Sequence, residues 1–105
     1  HYILMELKAY QAYRNPELDI CYWRTSSGLE VDFVLGDMNI AIEVKGTRRV
    51  HSGHARGLNA MLEEHTVAKA FIVSLESHVR KLDTRIEVLP WQFFLHALWS
   101  GDLDI

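Results

Sequence analysis

Three carboxylates and one lysine between residues 30 and 45 are the side chains best suited to chemistry in this sequence. Glu30 and Asp32 alternate along one apolar segment, LEVDFVL, and Glu43 and Lys45 alternate along the next, IAIEVK. Successive side chains of a β-strand point to opposite faces, so each pair shares one face of its strand. Neighbouring carboxylates repel unless a cation compensates them, and Mg²⁺ prefers oxygen ligands. The pattern therefore predicts a divalent metal site with a lysine beside it.

The two segments are predicted to form a hairpin around residues 36–39 (GDMN). Such a connection places apolar residues opposite one another, in the pairs Leu35–Ile40, Phe33–Ile42 and Val31–Val44. The same register places Asp32 across from Glu43, with Cβ atoms about 5 Å apart. It also places Glu30 across from Lys45. A lysine on this face could orient or deprotonate a metal-bound water, and this combination indicates metal-assisted phosphodiester hydrolysis.

These four side chains also have a simpler interpretation. Any amphipathic hairpin carries charges on its outer face, and the same residues could form a solvated ladder of ion pairs. Val34 and Ala41 fall on that face, so the face is not uniformly polar. The residues by themselves leave both interpretations open.

The rest of the chain supplies the elements that position the hairpin. Apolar periodicity predicts three helices and five strands. The helices cover residues 1–13, residues 54–65 and the segment that Pro90 opens. The strands cover residues 20–25, 29–35, 40–45, 68–75 and 86–89. This αβββαββα order predicts an α/β fold, a mixed β-sheet with flanking helices. Trp91 and Trp99 in the last helix are expected in the core, and a docking face for an upstream domain is the alternative.

The composition of the 105 residues is that of a single globular domain, predicted to span residues 1–105. Hydrophobic residues make up 49% and charged residues 24%, which excludes a disordered chain. Cys21 is the only cysteine, which excludes an internal disulfide and favours a cytoplasmic location. His51 and His54 have no third ligand nearby, so they do not predict a zinc site. No apolar run reaches the ~20 residues that cross a bilayer, so no membrane partner is expected.

The connection KGTRRVHSGHAR leads from the predicted metal site to a helix start. It holds four basic residues and two histidines without any acid. Backbone N–H groups at a helix start and nearby cations favour anions. Arg48, Arg49 and Arg56 are therefore candidate contacts to a nucleic-acid backbone, and a solvated loop is the alternative. The formal net charge of −3 does not indicate a dedicated nucleic-acid-binding protein, although a local patch is compatible with it.

Several of these stretches resemble known families. The run GLEVDF followed by IEVKG resembles the D-x(n)-E-x-K signature of the PD-(D/E)xK, or restriction-endonuclease-like, superfamily. More narrowly, almost the whole chain looks like the C-terminal domain of unknown function of bacterial and archaeal AAA+-type ATPases. The stretches that carry this second resemblance are LMELKAY, ICYWRTSSGLEVDFVLGD, AIEVKGTRRVH and LPWQFFLHALWSGDL.

The resemblance implies a restriction-endonuclease-like fold and a role for each matching residue. Asp32 and Glu43 match the metal-binding acids, and Lys45 matches the catalytic lysine. Glu6, on the first helix, matches an additional acid beside the metal, and an exposed helix glutamate is the alternative. The chain departs from the pattern at Val31, where many relatives have proline. It also lacks the glutamine-plus-tyrosine helix motif of RecB-like nucleases.

Three functions are compatible with these observations. The first is a Mg²⁺-dependent DNA endonuclease domain regulated by an ATPase domain upstream in the same chain. ATP would bind in that upstream domain, because no GxxxxGK[ST] motif occurs here. The second is a non-catalytic module that docks nucleic acid or protein onto the ATPase. The third is a structural C-terminal cap. The helical pattern already under way at His1 favours a natural chain that begins further upstream.

Overall fold

The computed structural model describes residues 1–105 and shows a mixed α/β fold with one six-stranded sheet and three helices. The helices are α1 (Tyr2–Tyr13), α2 (Arg56–Glu64) and α3 (Trp91–Ser100). The strands are β1 (Ile20–Arg24), β2 (Glu30–Leu35), β3 (Ile40–Val44), β4 (Lys69–Ser74), β5 (Arg80–Lys81) and β6 (Ile86–Pro90). The predicted mixed sheet with flanking helices is confirmed. None of the helices is long and apolar enough to span a membrane.

The sheet is parallel at its centre and antiparallel towards its edges. Its strand order is β1–β2–β3–β4–β6–β5. The β3–β4 and β4–β6 pairs are parallel, and the other pairs are antiparallel. Parallel neighbours need a crossover connection, which α2 provides between β3 and β4. The connection to α2 therefore leaves the sheet at the end of β3, next to Glu43 and Lys45.

Two apolar cores hold the helices on opposite faces of the sheet. Leu7 of α1 and Phe94 of α3 belong to the first core, and Leu58 and Met61 of α2 belong to the second. These four side chains are fully buried. Each such side chain stabilises the fold by about 1.5–3 kcal/mol through removal of apolar surface from water. The sheet therefore packs against α1 and α3 on one face and against α2 on the other.

Several predicted details change in the structure. Pro90 ends β6 and caps α3, whereas it was expected to be the first residue of that helix. The helix predicted from residue 54 begins as a 3-10 turn at Ser52–Ala55. Strand β5 was not predicted, because two exposed residues have no apolar periodicity. Trp91 and Trp99 are half-buried against the first core, which confirms the core interpretation.

The register predicted for the hairpin is confirmed near the turn and is wrong beyond it. The pairs next to the turn form as predicted, Leu35–Ile40 and Phe33–Ile42. The β2–β3 ladder ends there, so the predicted pairing of Glu30 with Lys45 is absent. Val31, expected opposite Val44, lies in the second core, whereas Val44 packs against the first. The expectation that Val31 shares one face of β2 with Phe33 and Leu35 is therefore wrong.

This departure arises because β2 follows β1 after it leaves β3. Glu30 and Val31 stay paired with Arg24 and Trp23 of β1, across an irregular register in that strand. A bulge of this kind bends a strand and increases its twist. The start of α2 also comes very close to β2, because Gly57 packs directly against the backbone of Glu30. Strands β2 and β3 therefore separate, and the space between them becomes the candidate site.

We predict that Gly57→Ala destabilises the protein. A Cβ at this position would collide with the carbonyl oxygen of Glu30, and backbone cannot rotate away as a side chain can. Overpacking of this kind costs about 1–3 kcal/mol, which outweighs the gain of up to ~1 kcal/mol from replacing a helical glycine by alanine. Urea unfolding measures the change.

Gly46→Ala is the matched control, because a Cβ on Gly46 meets no atom within 4 Å. Its free energy of unfolding should stay close to that of the wild type. Equal stability of Gly57→Ala and Gly46→Ala would contradict the close contact between α2 and β2.

Candidate functional site

Asp32 and Glu43 are tied together where the β2–β3 ladder ends. The backbone N–H of Asp32 donates to Glu43 Oε1 at 3.2 Å, and the backbone N–H of Val44 donates to Asp32 Oδ2 at 2.8 Å. Each carboxylate thus takes the place of a backbone carbonyl that strand pairing would have supplied. The two acids are held side by side by the strands themselves rather than by a flexible loop.

Each of these carboxylates retains one oxygen that accepts no hydrogen bond from a backbone N–H group. Asp32 uses Oδ2 and Glu43 uses Oε1 to bind backbone N–H groups. Glu43 Oε2 lies 4.0 Å from Lys45 Nζ. Mg²⁺ is commonly bound through one or two carboxylates together with water and phosphate oxygens. The available oxygens of Asp32 and Glu43 fit this requirement.

Burial of Glu43 makes its charge costly. The residue is only 6% exposed. Its pKa is raised to about 8, first by burial and then by the adjacent Asp32 carboxyl, against an opposing effect of Lys45. A buried carboxyl beside another acid resists ionisation unless a positive charge compensates it. Glu43 is therefore predominantly protonated at neutral pH, and a bound cation would favour its ionised form.

Lys45 follows the two acids at the point where β3 ends. Its backbone N–H donates to the carbonyl of Val73 in β4 at 2.9 Å, which fixes the start of its side chain. The side chain is 38% exposed, so the ammonium group remains hydrated. The structure thus brings Asp32, Glu43 and Lys45 together, as the sequence predicted for their side chains.

The three residues line one cavity of about 260 Å³, which is bounded by β2, the end of β3 and the start of α2. Glu30 lies at the same cavity and pairs with Arg24 at 3.3 Å. His54 and Arg56 also line it. Acidic side chains from the strands and nitrogen-bearing side chains from the connection therefore meet in one space. Such a cavity can accommodate a cation and an anion next to each other.

The arginines predicted to contact nucleic acid occupy different positions. Arg56 lines the cavity, whereas Arg48 and Arg49 lie on the connection outside it. All three are exposed. Their guanidinium groups are therefore accessible from solvent.

An ion pair that was not predicted holds this connection in place. Arg80 donates to both carboxylate oxygens of Glu76 at 2.8 Å, and the backbone N–H of Val50 donates to Glu76 Oε2 at 2.7 Å. Arg80 also donates to the carbonyl of Val50. These bonds hold the pKa of Glu76 down at about 2, with Arg80 as the main cause. The connection is therefore anchored to the end of β4.

Glu6 does not join the two acids. Its carboxylate accepts a hydrogen bond from Trp99 Nε1 at 3.3 Å, on the side of the sheet that α1 and α3 cover. The cavity of Asp32 and Glu43 lies towards α2, on the other side. No group of three or more His, Cys, Asp or Glu side chains converges in a way that could hold a metal ion. The expected addition of a helix acid to the site is not found.

Sequence reasoning did not assign His54 or Glu76 to the site. His54 was considered as a zinc ligand and as one of two histidines in the basic connection, and it was not assigned to the cavity of the two acids. Glu76 and Arg80 are spaced as a local ion pair, which is a common surface pattern. Nothing in the sequence indicates that this pair binds Val50, which is far away along the chain.

The chain was compared with models of known protein families. Residues 1–94 match the family described as Domain of unknown function (DUF4143). The chain belongs to this family. A search of curated proteins found no match. A search of solved structures found none either.

The raised pKa of Glu43 predicts an unusual dependence of stability on pH. The folded protein keeps this proton between pH 4.5 and about 8, whereas the unfolded chain loses it near pH 4.5. The free energy of unfolding contributed by Glu43 therefore falls as pH rises through this window and levels off above it. Glu43→Gln removes this loss, so the stability of this variant should rise relative to that of the wild type as the pH increases.

Urea unfolding of both proteins at pH 5 and pH 9 measures this effect. The exposed Glu63 provides the control, and Glu63→Gln should follow the wild-type profile. A constant difference between Glu43→Gln and the wild type across these pH values would disprove the raised pKa.

The Glu76–Arg80 ion pair predicts the opposite dependence of the free energy of unfolding on pH. Its stabilisation is present above pH 4.5 and disappears as pH falls towards about 2. Glu76→Gln should lower the free energy of unfolding at pH 7 by about 1–3 kcal/mol, because the Arg80 and Val50 bonds lose their charged acceptor. Glu30→Gln interrupts the exposed Arg24–Glu30 pair and should cost less than about 1 kcal/mol. Equal losses would show that Glu76 acts as an ordinary surface charge.

Proposed function

We propose that this member of the DUF4143 family is a nuclease-like domain that hydrolyses phosphodiester bonds in DNA with Mg²⁺. The proposal is supported above all by one observation: Asp32, Glu43 and Lys45 line the same cavity, and each acid keeps one oxygen available. The PD-(D/E)xK resemblance of the same three residues supports the same chemistry. The finer assignment to a restriction-endonuclease-like fold is part of this proposal.

Asp32 and Glu43 would bind the metal through Oδ1 and Oε2. When bound, Mg²⁺ would supply a polarised water and neutralise charge on the phosphate. Both carboxylates accept hydrogen bonds from backbone N–H groups, which hold them in place before any ligand binds. Little side-chain conformational entropy would therefore be lost on binding. Lys45, next to Glu43 Oε2, would orient the attacking water or stabilise the negative charge that develops on the phosphoryl oxygens.

The opposite wall of the cavity suits the phosphate. His54 and Arg56 belong to the 3-10 turn and the start of α2, where backbone N–H groups and the helix dipole favour negative charge. Arg48 and Arg49 would add to the positive charge of Arg56 along the connection, towards neighbouring phosphates of a polynucleotide. The anchoring of the connection by Glu76 would keep these cations close to the site.

The proposal also places an AAA+-type ATPase module upstream in the same chain, as the resemblance implies. That module would bind ATP. The nuclease-like domain would then act on DNA that the ATPase positions or remodels.

A non-catalytic docking module is the second candidate. It is favoured by the structural role of the two acids. Asp32 and Glu43 connect β2 to β3 by accepting hydrogen bonds from backbone N–H groups. The negative net charge is also compatible with a protein partner. In this case the two acids would only stabilise the fold, and binding of DNA or of the ATPase would not require a metal.

The nuclease proposal predicts Mg²⁺-dependent cleavage of DNA by the wild type. Asp32→Asn and Lys45→Met should each lower the rate by about 100-fold or more, because the first removes a charged metal ligand and the second the ammonium group. Plasmid nicking and cleavage of labelled single-stranded and duplex DNA measure the activity. Asp37→Asn in the exposed hairpin turn and Lys69→Met at the start of β4 are the controls and should cleave as the wild type does.

Binding separates the two candidates. If the wild type cleaves no DNA form in Mg²⁺ or Mn²⁺, and if DNA binding persists in Asp32→Asn without metal, the nuclease proposal is rejected in favour of the docking module. Circular dichroism of each variant checks that the fold is retained.

A further inference from the structure

His51 and His54 form a closed hydrogen-bonded turn at the edge of the cavity. The backbone N–H of His51 donates to His54 Nδ1 at 3.1 Å, and the backbone N–H of Gly53 donates to His51 Nδ1 at 3.1 Å. The two rings lie against each other with centroids 3.8 Å apart. This arrangement caps the 3-10 turn Ser52–Ala55 and holds the His54 ring in one orientation.

The bond to Nδ1 determines which tautomer His54 adopts. A neutral imidazole has one nitrogen with a proton and one without, and the nitrogen that accepts a bond must be the one without. Because Nδ1 of His54 accepts from His51, the proton lies on Nε2. Partial burial, His51 and Lys45 together hold the pKa of His54 below its usual value, so the ring is neutral at pH 7.

His54 lines the cavity that also contains Asp32, Glu43 and Lys45. A neutral Nε2–H group can donate to an oxygen but has no lone pair for a metal. For Nε2 to bind a metal, the proton would have to move to Nδ1, which would break the bond from the His51 N–H. The turn therefore favours His54 as a hydrogen-bond donor over His54 as a metal ligand.

We infer that His54 contacts the substrate, donating its Nε2–H to a phosphoryl oxygen of the phosphodiester bound in the cavity. His51 acts through His54 as a positioning residue, since its backbone N–H fixes the tautomer and its ring supports the orientation. The inference rests on the proposed phosphodiester hydrolysis and assigns a further residue to that site. The phosphate would lie between Lys45 and His54, opposite the two acids.

Two substitutions of His54 distinguish its Nε2–H donor from its Nδ1 acceptor, which caps the 3-10 turn. His54→Asn keeps an oxygen near the position of Nδ1, so the bond from His51 and the turn can persist, but the donor at Nε2 is lost. His54→Gln restores a donor near Nε2 and loses the acceptor near Nδ1. The expected result for His54→Asn is a fall in kcat of about 100-fold, comparable to removal of one donor that stabilises transition-state charge. His54→Gln should recover part of this loss.

His65→Asn is the control, because His65 lies at the far end of α2 against Trp23. It should leave kcat unchanged. Thermal unfolding of the His54→Asn protein should match the wild type, which excludes a purely structural effect. Wild-type kcat in His54→Asn, or equal losses in His54→Asn and His54→Gln, would overturn the inference.

A measurement without turnover tests the same contact. Nitrogen-15 NMR of the imidazole rings should show His54 protonated at Nε2 and not at Nδ1. Addition of the dinucleoside monophosphate TpT with Ca²⁺ should shift the His54 Nε2–H signal and leave His65 unchanged. A proton on Nδ1, or no shift of His54, would overturn the inference. A wild type that binds TpT through His54 but cleaves no DNA would refute the proposed hydrolysis and leave the contact established.

Discussion

The exchange of hydrogen bonds between Asp32 and Glu43 is the interaction on which the candidate site depends. Strands β2 and β3 pair only near their turn, and the two acids then take over the role of strand pairing. Backbone N–H groups that lose their partners in a protein interior are costly, so something must accept from Asp32 and Val44. Side-chain carboxylates do this while each keeps a second oxygen available. The same two carboxylates thus satisfy the backbone of the separated strands and supply the oxygens available in the opening between them.

This arrangement gives the acids two roles that oppose each other energetically. Their bonds to the backbone stabilise the separated strands, but burial of Glu43 next to Asp32 makes ionisation of the pair unfavourable. A site that contains such a pair is poised to bind a cation, because the cation relieves repulsion that the fold has imposed. The same physics operates whether the domain cleaves DNA or only binds it. Perturbed carboxyl groups in a cavity are common features of functional sites and also occur in structural networks.

The connection between β3 and α2 completes the site from the other side. It contributes His54 and Arg56 to the cavity, and the Glu76–Arg80 pair fixes its path by binding the backbone of Val50. An unanchored loop with this many basic residues would spread its charges through mutual repulsion. The anchored connection instead presents them along one edge, where the end of β3 already carries Lys45. Acidic side chains and nitrogen-bearing side chains therefore face each other across the cavity, and Lys45 makes only a long contact with Glu43, at 4.0 Å.

The sequence by itself determined the mixed sheet, its flanking helices and the identity of the central residues. These follow from local patterns, namely apolar periodicity, the turn at residues 36–39 and the alternation of Asp32, Glu43 and Lys45 along their strands. Only the tertiary structure decided that β2 pairs with β3 from Phe33 onward and not before it, that Glu6 binds Trp99, and that Glu76 holds Val50. Each of these depends on contacts between residues distant along the chain, including the approach of Gly57 to Glu30. Periodicity records which face a residue prefers, but the bending of a strand depends on what packs against it.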